Sequence, residues 1–424
     1  MTSAYTTFEV PPLRVVCAPS TTDVVYAGIA LDAGTRHELP DESGMAHLVE
    51  HMTFKGTGRL TSLQIINRLE SVGADLNAFT GKEETVYYSV FMKEHLSRAL
   101  NLLLDIVFHS TYPQHELVKE VEVVCDEIES YNDSPPELIY DDFEAMLFPG
   151  HPLGRNILGD AACLRRYTSA HLQAFARRQY HPGRAVLFVM GNVSPERVRR
   201  LVEQSRAFPL SSAADEAPAS GATLPPDAAC KSLLPAACPE PRIISKPVHQ
   251  AHVMLGATAY PFSHPDYMAQ ALLNNILGGP GLNSRLAMSL RERRGLVYTV
   301  ESTLNAYTDV SVWSVYFGCD PSDVRRCLRL VHRELERLVG SALTPRTLAA
   351  AKRQMKGQLG ISYDNFENVA IGMGKRYLHY GVVASPSELM ARIDALSAAD
   401  LLRVAQEVFS PQRLSTLAYM PQES

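Results

Sequence analysis

A short run of residues in the first half of the chain returns in the second. Asn77-Ala78-Phe79-Thr80 is followed by Tyr87-Tyr88-Ser89-Val90-Phe91, and Asn305-Ala306-Tyr307-Thr308 by Val312-Trp313-Ser314-Val315-Tyr316-Phe317. Around each copy the apolar pattern predicts the same order of helix, helix, strand, strand and helix. His47-Leu48-Val49-Glu50-His51 in the first half has Ala271-Leu272-Leu273-Asn274-Asn275 as its counterpart. A repeat of this kind restricts the chain to two copies of one unit. Its 424 residues, too many for one ordinary core, agree.

The fold class expected is α+β, with two homologous tandem domains, each a mostly antiparallel β-sheet with helices packed on one face. In the first domain, Leu13–Ala18, Val24–Leu31, Asp75–Thr80 and Thr85–Met92 alternate as strands. Ser62 is an N-cap candidate for a helix over Leu63–Val72. Helices are also expected over Glu94–Phe108, from Pro113 through Ser130, and from Pro135 to Leu147. A stretch rich in Ala, Pro and Ser then interrupts the periodicity, and a linker that long joins domains. The division expected is 1–207 for the first domain, 208–245 for the linker and 246–424 for the second. In the second domain, Val253–Thr258, Val297–Thr308 and Val310–Phe317 read as strands, with helices at Pro265–Leu277, Ser284–Arg294 and Asp323–Leu338.

Composition excludes several functions. A net charge of −6 gives no electrostatic reason to expect nucleic acid as a partner. No run of eighteen apolar residues occurs, so no membrane partner is expected either. The opening residues lack both a basic n-region and an apolar h-region, which predicts no secretory signal and a cytoplasmic location. The seven cysteines are odd in number and none are spaced C-x-x-C. They read as free thiols in a reducing compartment rather than as a zinc site.

The chemistry starts at His47, Glu50 and His51, which form H-x-x-E-H. On a helix, positions i and i+4 share a face, so both imidazoles can point at one metal ion. Glu50 at i+3 lies on the same side and can reach a water there. The order inverts the H-E-x-x-H of the zincins and is the inverzincin pattern. Catalytic zinc needs a third protein ligand and an open position for water. The helix after Pro113 is rich in carboxylates and offers several candidates.

H-x-x-E-H followed by Glu120-Val121-Glu122-Val123-Val124-Cys125-Asp126-Glu127-Ile128 resembles the pitrilysin/insulinase family of zinc metallopeptidases. The resemblance extends to His151-Pro152-Leu153-Gly154-Arg155-Asn156-Ile157-Leu158-Gly159. It also takes in Asn283-Ser284-Arg285-Leu286 and Leu290-Arg291-Glu292-Arg293-Arg294-Gly295-Leu296-Val297-Tyr298. It departs at Val10-Pro11-Pro12-Leu13, where the family has an Asn-Gly turn. It implies that the third ligand is Glu127, and that Glu120 is a further carboxylate beside the metal ligands. The strand with Asn77, Ala78 and Phe79 would bind substrate as an added strand. Arg291 and Tyr298 would bind substrate carbonyls and the oxyanion.

The resemblance further implies one Zn2+ per chain and hydrolysis of short or unfolded peptides in an enclosed chamber. Glu50 would be the general base for the activated water. The chain would be half of a clam-shell that closes as a homodimer. The alternative is a non-catalytic or heterodimer-dependent assembly subunit of a processing-peptidase-like complex.

Overall fold

The structure is a computed structural model and describes residues 5–208 and 240–422. The described residues fall into two units, each built on one sheet. The first sheet has six strands: β1 (Thr6–Val10), β2 (Leu13–Pro19), β3 (Val24–Leu31), β4 (Asp75–Thr80), β5 (Thr85–Met92) and β6 (Ala185–Gly191). Their order across the sheet is β1-β2-β6-β3-β5-β4. β2 and β6 run parallel, and every other neighbour is antiparallel. The turn at Pro11-Pro12 still makes a hairpin, with Val10 opposite Leu13.

The second sheet has five strands: β7 (Arg242–Lys246), β8 (Ala251–Ala259), β9 (Val297–Ala306), β10 (Ser311–Cys319) and β11 (Ser415–Pro421). Their order is β7-β11-β8-β10-β9. β7 and β11 run parallel, as β2 and β6 do, and the rest are antiparallel. Without β1, the second sheet repeats the first strand for strand. The tandem repeat expected from the sequence is thus present in the connectivity: Asn77-Ala78-Phe79 lies on the edge strand β4, and Asn305-Ala306 ends the edge strand β9 just before Tyr307.

The sheets are covered on both faces, where the sequence reading placed helices on one. Alternation along the strands explains why. In β6, Ala185, Leu187 and Val189 join one apolar cluster, while Val186, Phe188 and Met190 join another. The first cluster lies under α1 (Met45–Thr53), α2 (Ser62–Glu70), α3 (Leu96–His109) and α4 (Gln114–Asn132). The second is closed by the helix Phe366–Tyr380, which packs on β3 and β6. The second unit does the same with α5 (Pro135–Leu147), which packs on β8 and β11.

Each covering helix therefore comes from outside the chain segment that builds its sheet. Ser362–Ser385 belongs to the first unit, and Tyr131–Gly154 to the second. Reading domains as contiguous stretches misses this exchange, because an amphipathic helix does not record which sheet it will cover.

Other differences are local. Thr61, not Ser62, caps α2, accepting from Gln64 N at 3.4 Å while Gln64 Oε1 accepts from Thr61 N at 2.9 Å. The helix expected over Ser284–Arg294 runs over residues 285–292 and is of π type from Ala287 to Glu292. The expected linker lies mostly outside the described residues, and its end, Arg242–Ser245, is part of β7. The five described cysteines, Cys17, Cys125, Cys163, Cys319 and Cys327, are free thiols.

Candidate metal centre

The motif helix α1 starts without a capping side chain. Its N-cap is Gly44, at φ 77°. That conformation suits glycine, and the crowding excludes anything larger. A Cβ at Gly44 would meet the Leu158 carbonyl oxygen at 2.6 Å, and one at Gly159 (φ 79°) would meet Gly44 Cα at 2.4 Å. The Gly159 loop is thus seated directly against the start of the helix. Glu38 replaces the missing cap: its Oε1 accepts from Ala46 N at 3.0 Å. Burial pushes the Glu38 carboxyl up to about 8. Eight of the nine helix residues are buried, His47 and Glu50 included. The ninth is His51.

The residues expected to bind metal converge. The candidate ligand atoms of His47, His51 and Glu127 all lie within 4.8 Å of one another. Glu127 Oε2 is 3.8 Å from His47 Nε2 and 3.6 Å from His51 Nε2. These gaps exceed hydrogen-bond length. They suit two ligands of one tetrahedral zinc ion, which stand roughly 3.4 Å apart when each bond is about 2.1 Å.

Protonation fits a cation as well. His47 is 7% exposed, and its Nδ1 has no hydrogen-bond partner. Burial, then the neighbouring His51, lowers its pKa to about 3, so the ring is neutral and keeps a lone pair. His51 Nδ1 lies 3.0 Å from Glu120 Oε1, which fixes Nδ1 as the donor and leaves Nε2 as the free nitrogen. Burial opposes charge on His51, but the Glu120 bond and the charges of Glu50, Glu120 and Glu127 outweigh it and raise its pKa. Three carboxylates around two imidazoles form a basin that favours positive charge. Glu127 is 45% exposed at its side chain, so the group opens to solvent on that side.

Glu50 lies close enough to His51 and Glu127 to feel their charges and is 8% exposed. Its Oε2 accepts from Thr80 Oγ1 at 2.5 Å. Burial raises its pKa, while the Thr80 bond and His51 pull the other way. Thr80 ends β4, the edge strand carrying Asn77, Ala78 and Phe79. The strand expected to hold substrate and the carboxylate expected to act as base are therefore joined by one hydrogen bond. Lys55 Nζ completes the cluster, 2.6 Å from Glu120 Oε2. Burial would raise the Glu120 carboxyl, but the bonds from His51 and Lys55 draw it below the usual range.

In the second unit, Arg291 and Tyr298 line one cleft with Asn274 and Gly279. Arg291 Nε donates to Glu292 Oε1 at 2.8 Å, and Tyr298 is 89% exposed. Sequence reasoning missed Thr80, Lys55 and Glu38 as site residues. Thr80 is 30 residues from Glu50, and Glu38 is eight residues before Ala46 with a loop between them, so no helix or strand period points to either. Lys55, four residues after His51, is a spacing signal that could have been read.

Two homologous α+β units, one of them bringing two imidazoles and a carboxylate together beside a buried acid, define a tandem-domain protein with one candidate metal centre. Comparison narrows the class. Residues 14–161 match the family described as "Insulinase (Peptidase family M16)", and residues 166–355 match "Peptidase M16 inactive domain". A zinc protease of Bacillus subtilis, itself named as uncharacterised, is 30% identical over 91% of this chain and 90% of its own length. The mitochondrial-processing peptidase subunit beta of Bos taurus is 31% identical over 91% of this chain and 78% of its own. The chain belongs to the M16 insulinase family of peptidases.

Solved structures agree on the fold. A protease from Helicobacter pylori superposes with a TM-score of 0.86 at 23% identity, covering 98% of this chain and 99% of that one. A Pseudomonas fluorescens protein described as a peptidase M16 inactive domain gives 0.85 at 21%, covering 99% of each. At the repeat positions of His47 and His51 the second half has Ala271 and Asn275, in keeping with the name of the family description it matches.

Proposed function

We propose that the chain is a zinc-dependent endopeptidase acting on short or unfolded peptides. One observation carries the reading: His47, His51 and Glu127 present their ligand atoms to a common point, with Glu50 beside them. Those three residues would hold one Zn2+ per chain. The ion would supply Lewis-acid chemistry, activating water and polarising a carbonyl.

The remaining work falls to the chain. Glu50 takes the proton of the attacking water and passes it to the leaving amine. Thr80 holds the Glu50 carboxyl in place by its hydroxyl. Glu120 orients His51 so that Nε2 stays free, and Lys55 in turn holds Glu120. The free edge of β4 at Asn77, Ala78 and Phe79 offers backbone groups to an extended peptide, which adds as another strand. Arg291 and Tyr298 supply donors for substrate carbonyl oxygens and for the oxyanion that develops on them. We further propose that the chain acts as a homodimer.

Similarity to a protein named as a peptidase subunit favours a second reading, in which cleavage needs a paralogous partner chain. Purified protein cleaving a quenched peptide alone supports the first reading. Chelation should abolish that cleavage, and stoichiometric Zn2+ should restore it. Cleavage that survives complete metal removal contradicts the assignment.

A further inference from the structure

We propose that a cleft in the second unit is a binding site for a phosphate-class oxyanion, a site beyond the peptidase reading. Its walls include Arg285, Arg293, Arg337, Ser289, Thr344 and Thr347. The single carboxylate among them is Glu334, which Arg337 Nη1 engages at 2.7 Å. Three guanidinium groups against one carboxylate leave a surplus of positive charge. The whole chain has a net charge of −6, so this surplus is local and not part of a general basic surface.

Arg285 sits in the wall of this cleft. It belongs to Ser284-Arg285-Leu286, a run that peptide hydrolysis leaves without a role. Its side chain is half-buried, and burial draws its pKa below the usual guanidinium range. Among the described residues its guanidinium has no hydrogen bond and no ion pair, although Glu334 is near enough to be felt. Partial burial of a charge without a bonded partner is costly, and an anion in the cleft removes that cost.

The geometry favours phosphate over carboxylate. Guanidinium groups come from the 285–293 stretch and from the helix Val324–Gly340, while hydroxyls come from the start of a third element. Thr344 begins the helix Pro345–Ser362: its carbonyl accepts from Leu348 N at 2.9 Å, and its Oγ1 accepts from Thr347 N at 3.3 Å. The positive end of that helix adds to the guanidinium field. Donors from three elements suit a tetrahedral oxyanion, whereas a flat carboxylate would use one fork.

The test is calorimetric titration of the full chain with inorganic pyrophosphate, beside a nucleoside triphosphate and succinate. Saturable binding of a phosphate ligand is expected, with succinate much weaker. Arg285→Gln should weaken it about tenfold or more, the loss expected for one charge-assisted hydrogen bond. Arg293→Gln, at an exposed position, removes a second guanidinium without endangering the fold and should weaken binding too. The tighter of the two phosphate ligands shows whether the group comes free or on a nucleotide, and either supports the site. No saturable binding, unchanged affinity in both variants, or succinate binding as tightly as pyrophosphate overturns it.

Discussion

Glu50 shows how a single residue is tuned. Burial favours its neutral form, and the Thr80 hydroxyl favours the carboxylate that a general base requires. Removing that donor in Thr80→Ala raises the Glu50 pKa. A base works only when ionised, so activity falls as pH drops through that pKa. The acid limb of kcat/KM should therefore move to higher pH in Thr80→Ala, with metal content unchanged. A pH profile measured on both proteins checks this, and coincident limbs would contradict it. H-x-x-E-H was legible in sequence because helix geometry converts spacing into direction. Glu127 became legible only through the family resemblance, since several carboxylates on α4 were candidates. Thr80 was not legible at all, because no local rule links a strand end to a helix 30 residues earlier.

At the scale of elements, the hairpin that carries Thr80 is held from behind. Glu84, which closes its turn just before β5, is an ion-pair partner of Lys375 and of His379, whose Nε2 lies 3.0 Å away. Both belong to the helix Phe366–Tyr380. Burial alone would raise Glu84, but the His379 bond and the charges of Lys375 and His379 pull it down to about 2. A carboxyl depressed on folding contributes stability that is complete above its unfolded pKa, near 4.5, and vanishes as pH falls through about 2. His379 is raised, so its own share is full below 6.5 and is lost as pH rises through the folded value.

Glu84→Gln should cost about 3 kcal/mol at neutral pH, the scale for breaking a buried pair. Its deficit against the parent should shrink between pH 4.5 and 2. Urea unfolding across that range measures it, and a constant deficit would refute the clamp. The sequence located β4 and β5 to the residue, because each strand alternates and a glycine turn separates them. It missed β1, which has no counterpart in the second sheet, and also β7, five residues beside the linker, and β11, which joins its sheet from far along the chain. It could not show that residues 366–380 close the first sheet, since only long-range packing decides that.

For the whole molecule, the repeat set the architecture. β7-β11-β8-β10-β9 repeats β2-β6-β3-β5-β4, and among the described residues only the first copy brings two histidines and a glutamate together. The exchange of covering helices between units was invisible in sequence, because either sheet offers a suitable apolar face. The homodimer proposal belongs at this scale. Light scattering should give about twice the 46.8 kDa chain mass. A clean monomer at working concentration would refute it.

If His47, His51 and Glu127 hold a metal while Glu50 moves the proton, zinc content and peptide cleavage must separate when the parent protein is measured beside Glu50→Gln. One zinc per chain in both proteins, with cleavage in the variant reduced by at least about a hundredfold, is the predicted result. Cleavage that survives in Glu50→Gln, or a parent protein that binds no zinc, would contradict it.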